Sequence, residues 1–307
     1  MELNPKVNEN DRKSFRMQGG LGLGLNARTS ERIAFLLIGL SAMLVAGFVV
    51  VILAYIIYNG YSAISVEFLT EMPRMRMTQG GIYPAIVGTV LLIIGSMAVA
   101  LPLGIMAAVY LNEYAGDTRS TWLIEMAINN LAGTPSVVFG LFGLALFVKY
   151  FGFGSSILSA SLTLSFLIIP VIICSSQEAL IAVPKEYRDS SLALGISKWS
   201  TIRHVVLPAA IPGIVTGSIL SIGRVAGETA PILLTGVAYF LPRLPDSIYS
   251  QFMALPYHLF VLATSGTSIV KTRPLQYGTA LVLLMIVLGL NSIAVLIRRH
   301  YRKKLQI

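Results

Sequence analysis

The sequence is poor in the residue types on which much soluble-protein chemistry depends. Its 307 residues include one cysteine, Cys174, and only 12% are charged, against roughly 25% in ordinary soluble domains. A single cysteine excludes an internal disulfide and a cysteine-based metal site. The three histidines are too widely spaced to form a ligand cluster; they are His204, His258 and His300. We therefore expect no metal centre.

Two further absences argue against an enzyme. No nucleophile, base and orienting group, and no paired carboxylates, occur in a recognisable order. The chain also has no G-x-x-x-x-G-K-S/T loop, so ATP has to be bound by another polypeptide. We expect no cofactor on this chain.

Apolar residues are abundant instead. They make up 55% of the chain, and the mean hydropathy is +0.76. Six apolar runs are long enough to cross the ~30 Å hydrocarbon core of a bilayer as helices. They predict an all-α polytopic membrane protein with six transmembrane helices, at Ile33–Ile57, Pro84–Leu111, Met126–Val148, Ser156–Ser175, Pro208–Gly236 and Pro274–Ile297.

Basic residues predict the topology. Sixteen of the 23 lysines and arginines fall in the two tails and in the segments that six crossings place beside them, so both termini are expected in the cytoplasm. This divides the chain into a basic tail (1–32), a helical domain (33–297) and a second basic tail (298–307). A seventh apolar run is interpreted as part of an outer re-entrant or interfacial segment, 241–273. The net charge of +9 is then a topology signal and not a nucleic-acid footprint.

The segment 178–208 is amphipathic and faces the cytoplasm in this topology. Leu192, Ile196 and Trp199 share one helical stripe, while Gly195 indicates a turn between two short helices. Two interpretations stay open on the residues alone: a solvated helix at the inner leaflet, or a helix that docks in a groove of a partner protein.

The fifth span carries two charges, Arg224 and Glu228. Each costs roughly 2.5–3.5 kcal/mol at mid-bilayer, so both are expected to face protein or a water-filled cavity. Counting from Pro208, they lie about 24 Å and 30 Å along the helix, in the outer half of the membrane. An ion pair that only anchors the helix is the alternative to a role in transport.

Small residues recur on the same helix at Gly213, Gly217 and Ser221. They predict close packing against another helix, either in a partner subunit or within the chain. Asn130, shortly before Pro135, either lines a pathway at a break in the third span or bonds a neighbouring helix. Glu113, near Asp117 and Arg119, is expected in a solvated cytoplasmic turn.

The spacing D-S-S-x-x-x-G-x9-V-x-L-P resembles the EAA-loop signature of ABC importer permeases. In that family the loop forms a coupling helix that docks on the ATPase subunit, and we therefore call 178–208 the coupling segment. The resemblance implies the same role here for Asp189, Ser190, Ser191, Leu192, Gly195, Trp199, Leu207 and Pro208, with Asp and two Ser where the family has Glu and two Ala.

A closer resemblance follows from GRVAGETAP at 223–231, which is similar to the fifth-span signature of PstA-type phosphate importer permeases. GGIYPAIVGT, ALPLGIMAAVYLNEYA and NLAGTPSVVFGLFGLALFV agree with the same family. The resemblance implies a multi-pass cell-membrane subunit that pairs with a PstC-type permease, two PstB-type ATPases holding ATP and Mg, and a PstS-type phosphate-binding protein. We expect Arg224, Glu228, Thr229 and Asn130 on the substrate pathway.

Other functions remain as alternatives at this point. A molybdate or sulfate permease would share the EAA-like loop. A secondary transporter or channel would need no coupling segment, and a membrane phosphate sensor would need no charged pathway.

Overall fold

A computed structural model describes residues 27–264 and 269–304. Of the expected segments, the first tail before residue 27, the last three residues of the second tail, and 265–268 of the 241–273 segment lie outside the described residues. The described chain is helical apart from loops and one small hairpin, β1 (Pro73–Arg74) and β2 (Gln79–Gly80), which pair antiparallel. The all-α prediction is confirmed.

Twelve α-helices occur in the described ranges. Three wider π-helical turns also lie in these ranges, at Tyr110–Tyr114, Leu144–Tyr150 and Ile202–Val206. In chain order the helices are α1 (Ala27–Gly60), α2 (Val66–Thr70), α3 (Tyr83–Val109), α4 (Arg119–Ala132), α5 (Ser136–Gly143), α6 (Ile157–Ile181), α7 (Lys185–Ala193), α8 (Lys198–Thr201), α9 (Leu207–Gly227), α10 (Ala230–Thr235), α11 (Leu255–Thr264) and α12 (Ile269–Lys304).

Five helical stretches of the described chain are long and apolar enough to cross a membrane, or six if a bent pair counts as one span. The pair is α4 with α5 and the π turn after it, and the chain bends by 102° between its halves. The expected third span over 126–148 is thus a broken span, with the break beside Pro135 that is one of the alternatives open from the sequence. The other stretches are Arg28–Ala63, Tyr83–Tyr114, Ile157–Ile181, Lys198–Gly227 and Thr272–Tyr301.

Hydroxyl side chains cap the N-termini of several of these helices. The side chain of Ser156 accepts a hydrogen bond from Ser159 N at 3.2 Å, ahead of α6. Thr118 and Ser197 do the same for α4 and α8. Each satisfies one of the N–H groups that a first helical turn leaves without an intrahelical acceptor.

Helix α6 lies at the centre of the larger of two compact units, the one that begins at Ile56. Leu164, Leu167 and Ile168 are buried at its middle. Glycines bring three other helices onto it: a β-carbon at Gly104 of α3 would lie 2.6 Å from Ile172 Cγ2, and β-carbons at Gly143, the last residue of α5, and at Gly217 of α9 would overlap Thr163 and Ser175. Backbones packed this closely leave no room for lipid between them.

The segment 241–273, predicted as re-entrant or interfacial, packs over the N-terminal end of α6. We call this end of the molecule the far end. Residues 252–254 of the segment are buried. Ile157 N donates to Ser250 O at 3.1 Å and Leu158 N to Ile248 O at 2.9 Å, so the loop satisfies first-turn N–H groups of α6. Leu255 N, at the start of α11, donates to Thr89 Oγ1 on α3 at 2.8 Å.

The close packing of α9 on α6 at Gly217 can be tested by substitution. In Gly217→Ala the new methyl overlaps both Oγ and Cβ of Ser175, so rotating the hydroxyl does not relieve the clash. We expect a loss of about 1–3 kcal/mol in the free energy of unfolding, measured by unfolding of the purified protein in detergent.

Gly223→Ala is the matched control on the same helix, because nothing lies within 4 Å of a β-carbon there. Alanine at that position is expected to gain up to about 1 kcal/mol from its better helix propensity. Equal effects of the two substitutions would contradict the packing described here.

Candidate translocation site and coupling segment

Two helices of the fold are interrupted within their apolar stretches. The first break, at residues 133–135, separates α4 from α5, and the second, at residues 228–229, separates α9 from α10. Proline explains both: Pro135 and Pro231 lack an N–H, and their rings clash with the carbonyls four residues earlier, at Leu131 and Gly227. The expected fifth span over 208–236 therefore ends as a continuous helix at Gly227.

The second halves of the two broken helices pack against each other. A β-carbon at Gly140 would lie 2.9 Å from Pro231 Cα and 3.3 Å from Ala230 O. Phe139 and Ile232 belong to one buried cluster with residues 225–226 of α9. Both breaks thus lie within about two helical turns of a single backbone contact. Interrupted helices expose backbone groups that only protein or a water-filled cavity can satisfy in a membrane.

Arg224 and Glu228 lie at the second break. Arg224 belongs to the last turn of α9, whereas Glu228 follows the helix with an extended backbone, ψ 130°. Our expectation that both lie on one continuous helix is wrong, because Pro231 ends α9 first. Their side chains nonetheless pair, with 3.6 Å between Nε and Oε1, and are 32% and 16% exposed.

The separation of 3.6 Å makes this an ion pair without a hydrogen bond. A guanidinium that is partly accessible and loosely paired retains its planar fork, which matches two oxygens of a carboxylate or phosphate. The site can therefore exchange a weak internal counter-ion for a stronger external one.

Thr229 and Asn130 each lie beside a break. Thr229 is half-buried within the second one, and its carbonyl accepts a hydrogen bond from Leu233 N at 3.1 Å. Asn130 is exposed on α4, and its carbonyl accepts from Thr134 Oγ1 at 3.1 Å. The structure therefore brings Arg224, Glu228 and Thr229 together and puts Asn130 on the neighbouring broken helix.

The small residues of α9 pack within the chain. A β-carbon at Gly213 would lie 2.5 Å from Ala179 Cβ on α6, and Gly217 meets Ser175 one turn further along. Ser221 is buried and donates to Gly217 O at 3.1 Å. The expected helix interface exists, and its other side is α6 of the same chain, so a partner subunit is not needed to explain these residues.

The predicted coupling segment forms two short helices joined at Gly195, as expected. Gly195 has φ +80°, a left-handed conformation that side-chain-bearing residues rarely adopt. The expected single stripe of Leu192, Ile196 and Trp199 is wrong, because this turn changes the chain direction between them. All three side chains are exposed, Trp199 by 58%.

Other residues of the EAA-like signature divide into two groups. Asp189 and Ser190 are exposed on α7, where a partner can reach them. Ser191 is buried, and its Oγ lies 2.9 Å from Thr201 Oγ1, so its expected contact with a partner is replaced by one that ties α7 to α8. Leu207 and Pro208 are half-buried at the start of α9, directly after the π turn at Ile202–Val206.

Comparison with known proteins identifies the family. Residues 100–307 match the family described as the inner membrane component of binding-protein-dependent transport systems. The chain belongs to this family. Its relatives include a probable ABC transporter permease, YqgI, of Bacillus subtilis (strain 168), which is 33% identical over 282 residues, covering 88% of this chain and 95% of the relative.

Two further relatives are named phosphate transport system permease proteins. PstA 1 of Mycobacterium tuberculosis (strain CDC 1551 / Oshkosh) is 39% identical over 71% of both chains. PstA of Yersinia pestis is 34% identical over 87% of this chain and 89% of the relative.

Solved ABC transporters share the fold. A bacterial transporter involved in import of the acidic polysaccharide alginate matches with a TM-score of 0.63 and 13% identity, over 89% of this chain and 98% of the other. The MetNI methionine transporter, in an inward-facing conformation, matches with a TM-score of 0.54 and 15% identity, over 72% and 94%. At these identities the likeness concerns the fold alone.

Sequence reasoning missed several residues of these sites. Gly140 and Pro231 gave no signal of a mutual contact, because 91 residues separate them in the chain. Glu113 was expected in a solvated turn, yet its side chain is only 7% exposed and pairs with Arg188 at 2.8 Å. Glu113 and Arg188 are 75 positions apart in the chain, so helical periodicity does not predict that they pair.

Contact between the broken helices makes a second prediction. Gly140→Ala places a methyl against the backbone of Pro231, so the two half-helices have to separate. We expect transport to fall roughly 10-fold to 100-fold, as small misplacements of a site can cost, with the complex still assembled, measured as uptake by reconstituted vesicles.

Gly133→Ala is the matched control at the first break. The nearest neighbour of a β-carbon there is Asn130 O at 3.7 Å, an ordinary contact. The prediction fails if both variants transport at the same rate.

Proposed function

We propose that this chain is the permease subunit of an ATP-driven importer of phosphate, with Arg224 as the group that contacts the passing anion. The observation that carries the proposal is a guanidinium, 32% exposed and 3.6 Å from its carboxylate partner, at a break in a helix long and apolar enough to cross a membrane. A charge in such a place is costly unless it serves a pathway or a partner.

Phosphate is favoured among the oxyanions by the relatives. Those with the name phosphate transport system permease protein include chains 39% and 34% identical to this one. The resemblance of GRVAGETAP to the PstA-type signature covers the residues at the break itself. This also argues against molybdate or sulfate as the substrate.

Capture and energy supply are assigned to other chains. The proposed complex pairs this subunit with a PstC-type permease, beneath a PstS-type phosphate-binding protein and above two PstB-type ATPases that bind ATP and Mg. The basic residues support an orientation with both termini in the cytoplasm. In that orientation the coupling segment faces the ATPases and the far end faces the binding protein.

The ion pair suggests how the anion moves. Phosphate enters the outward-facing cavity and displaces Glu228 from Arg224, whose fork then holds two phosphate oxygens. Glu228, released beside the bound anion, repels it onward or accepts a proton from it. Thr229 and Asn130 supply polar groups along the same path.

Replacing Arg224 tests this role. Arg224→Gln keeps the length of the side chain and removes the charge, so phosphate uptake should be abolished while membrane insertion and complex assembly persist. Uptake of radiolabelled phosphate by cells that depend on this transporter, with immunoblots of the assembled complex, provides the measurement.

The matched control is Arg299→Gln, which removes an exposed arginine from α12 and should transport normally. Normal uptake by Arg224→Gln would leave the pair as a helix anchor. Uptake that survives loss of the ATPase subunit would favour a secondary transporter. Uptake of labelled molybdate or sulfate, without uptake of labelled phosphate, would correct the substrate.

Docking on the ATPase makes a separate prediction. Trp199→Ala removes a large exposed side chain from the coupling segment, and it should reduce recovery of the ATPase subunit in purification of the tagged permease by at least about tenfold, the loss of a typical hot-spot residue.

Tyr150→Ala serves as the control, since Tyr150 is 79% exposed but lies toward the far end. Undiminished recovery with Trp199→Ala would remove this side chain from the docking surface.

A further inference from the structure

The coupling segment is attached to the membrane helices by a buried charge cluster that its EAA-like signature does not contain. Arg188, on α7, meets Glu113, in the π turn that ends α3. Arg188 Nη2 lies 2.8 Å and Nε 3.1 Å from Glu113 Oε1. The side chains are 18% and 7% exposed, so water screens this pair far less than a surface pair.

The same guanidinium also binds the end of α6. Arg188 Nη1 donates to Val183 O at 2.9 Å, and Nη2 donates to Leu180 O at 2.8 Å. Leu180 lies in the last turn of α6, where its carbonyl also accepts a hydrogen bond from Val183 N at 3.2 Å, and Val183 follows just after the helix. One side chain thus joins three elements: α7 of the coupling segment, α3 and α6.

A second contact reaches the neighbouring residue of the same π turn. Lys198 Nζ, at the start of α8, lies 5.0 Å from the centre of the Tyr114 ring, within the range of a cation–π interaction. Inside the segment, the buried bond between Ser191 and Thr201, 2.9 Å long, ties α7 to α8. The segment therefore contacts the π turn at two points, Glu113 and Tyr114.

Only arginine satisfies this arrangement. Four of its five N–H groups have acceptors on Glu113, Val183 and Leu180, and the planar fork presents them in fixed directions. A lysine has three donors on one nitrogen and cannot reach both sides at once. Exposed residues such as Trp199 can bind a partner without passing its movement on, whereas this cluster connects the segment to the helices that would move.

We propose that Arg188 is a positioning residue for energy coupling: through Glu113 and the end of α6 it makes the coupling segment and two membrane helices move as one body. The proposal rests on the proposed function, in which an ATPase drives this segment. It predicts that loosening the cluster lets the ATPase hydrolyse ATP without moving phosphate.

The test uses the complete complex, reconstituted in vesicles with its binding protein, and measures phosphate uptake and ATP hydrolysis together. Arg188→Lys keeps the charge beside Glu113 and gives up the fork. We expect retained assembly and hydrolysis, with phosphate moved per ATP falling about tenfold, within the roughly 5–150-fold range of typical coupling between sites.

Two more variants keep the test decisive. The double change Arg188→Gln with Glu113→Gln removes both charges together and avoids an unpaired buried charge, and it should show the same fall. Arg299→Gln, which removes an exposed arginine from α12, should match the wild type. A merely structural role would lower uptake and hydrolysis together with the amount of complex, leaving their ratio unchanged.

Each outcome decides. A wild-type ratio in both cluster variants overturns the proposal, as does failure of both to assemble, because the cluster would then serve folding. Uptake by the wild-type complex that needs no ATP would instead overturn the proposed function, and the unmodified preparation reveals that before any variant is made.

Discussion

The close packing of three helices on α6 is the constraint on which the rest of the structure depends. In a lipid environment apolar side chains gain little from contact with one another, so association relies on van der Waals contact and on satisfied polar groups. Gly104, Gly143 and Gly217 allow that contact by bringing backbones or short side chains together where a methyl group would not fit. With α6 fixed in this way, its two ends become reference points. At the far end its N–H groups are satisfied by residues 248 and 250, and at the other end Arg188 donates to Leu180 O in its last turn and to Val183 O just after it.

The packing on α6 allows the chain to keep two breaks, one between α4 and α5 and one between α9 and α10. Pro135 and Pro231 each remove backbone hydrogen bonds, which costs several kcal/mol in an isolated helix. The second halves of the two broken helices compensate by packing on each other at Gly140 and Pro231. The result is a short stretch of irregular backbone held between packed helices, which is where a membrane protein can place a charged pair such as Arg224 and Glu228.

The fold class and five of the expected spans could be predicted from hydropathy, because helix length and the absence of charge are local properties of the chain. The turn at Gly195 was also predictable, since a glycine between two amphipathic stretches is a local signal. The sequence predicts only one of the two breaks, at 133–135 and 228–229. Pro135 indicates the first, whereas Pro231 lies inside a long apolar run, which predicts a continuous helix through the second. The pairs Glu113–Arg188 and Gly140–Pro231 join residues distant in the sequence, and no local pattern contains them. The family signature predicts that Ser191 contacts a partner, whereas in the structure its side chain is buried and contacts Thr201.

The coupling segment and the Arg224–Glu228 ion pair are also connected by a single helical stretch. Residues Lys198–Gly227 form one helical stretch, so Trp199 and Arg224 lie on the same rod, and Gly217 is where that rod touches α6 most closely. At 1.5 Å per residue, Trp199 lies about 27 Å from Gly217, and Arg224 about 10 Å on its other side. In the proposed coupling the segment, α3 and α6 move as one body, and the rod, which contacts α6 at Gly213 and Gly217, moves with them. Glu228 lies beyond the end of the rod, next to the half-helix that packs on Gly140. Movement of the rod relative to that half-helix therefore acts directly on the Arg224–Glu228 pair, which at 3.6 Å is too long for a hydrogen bond.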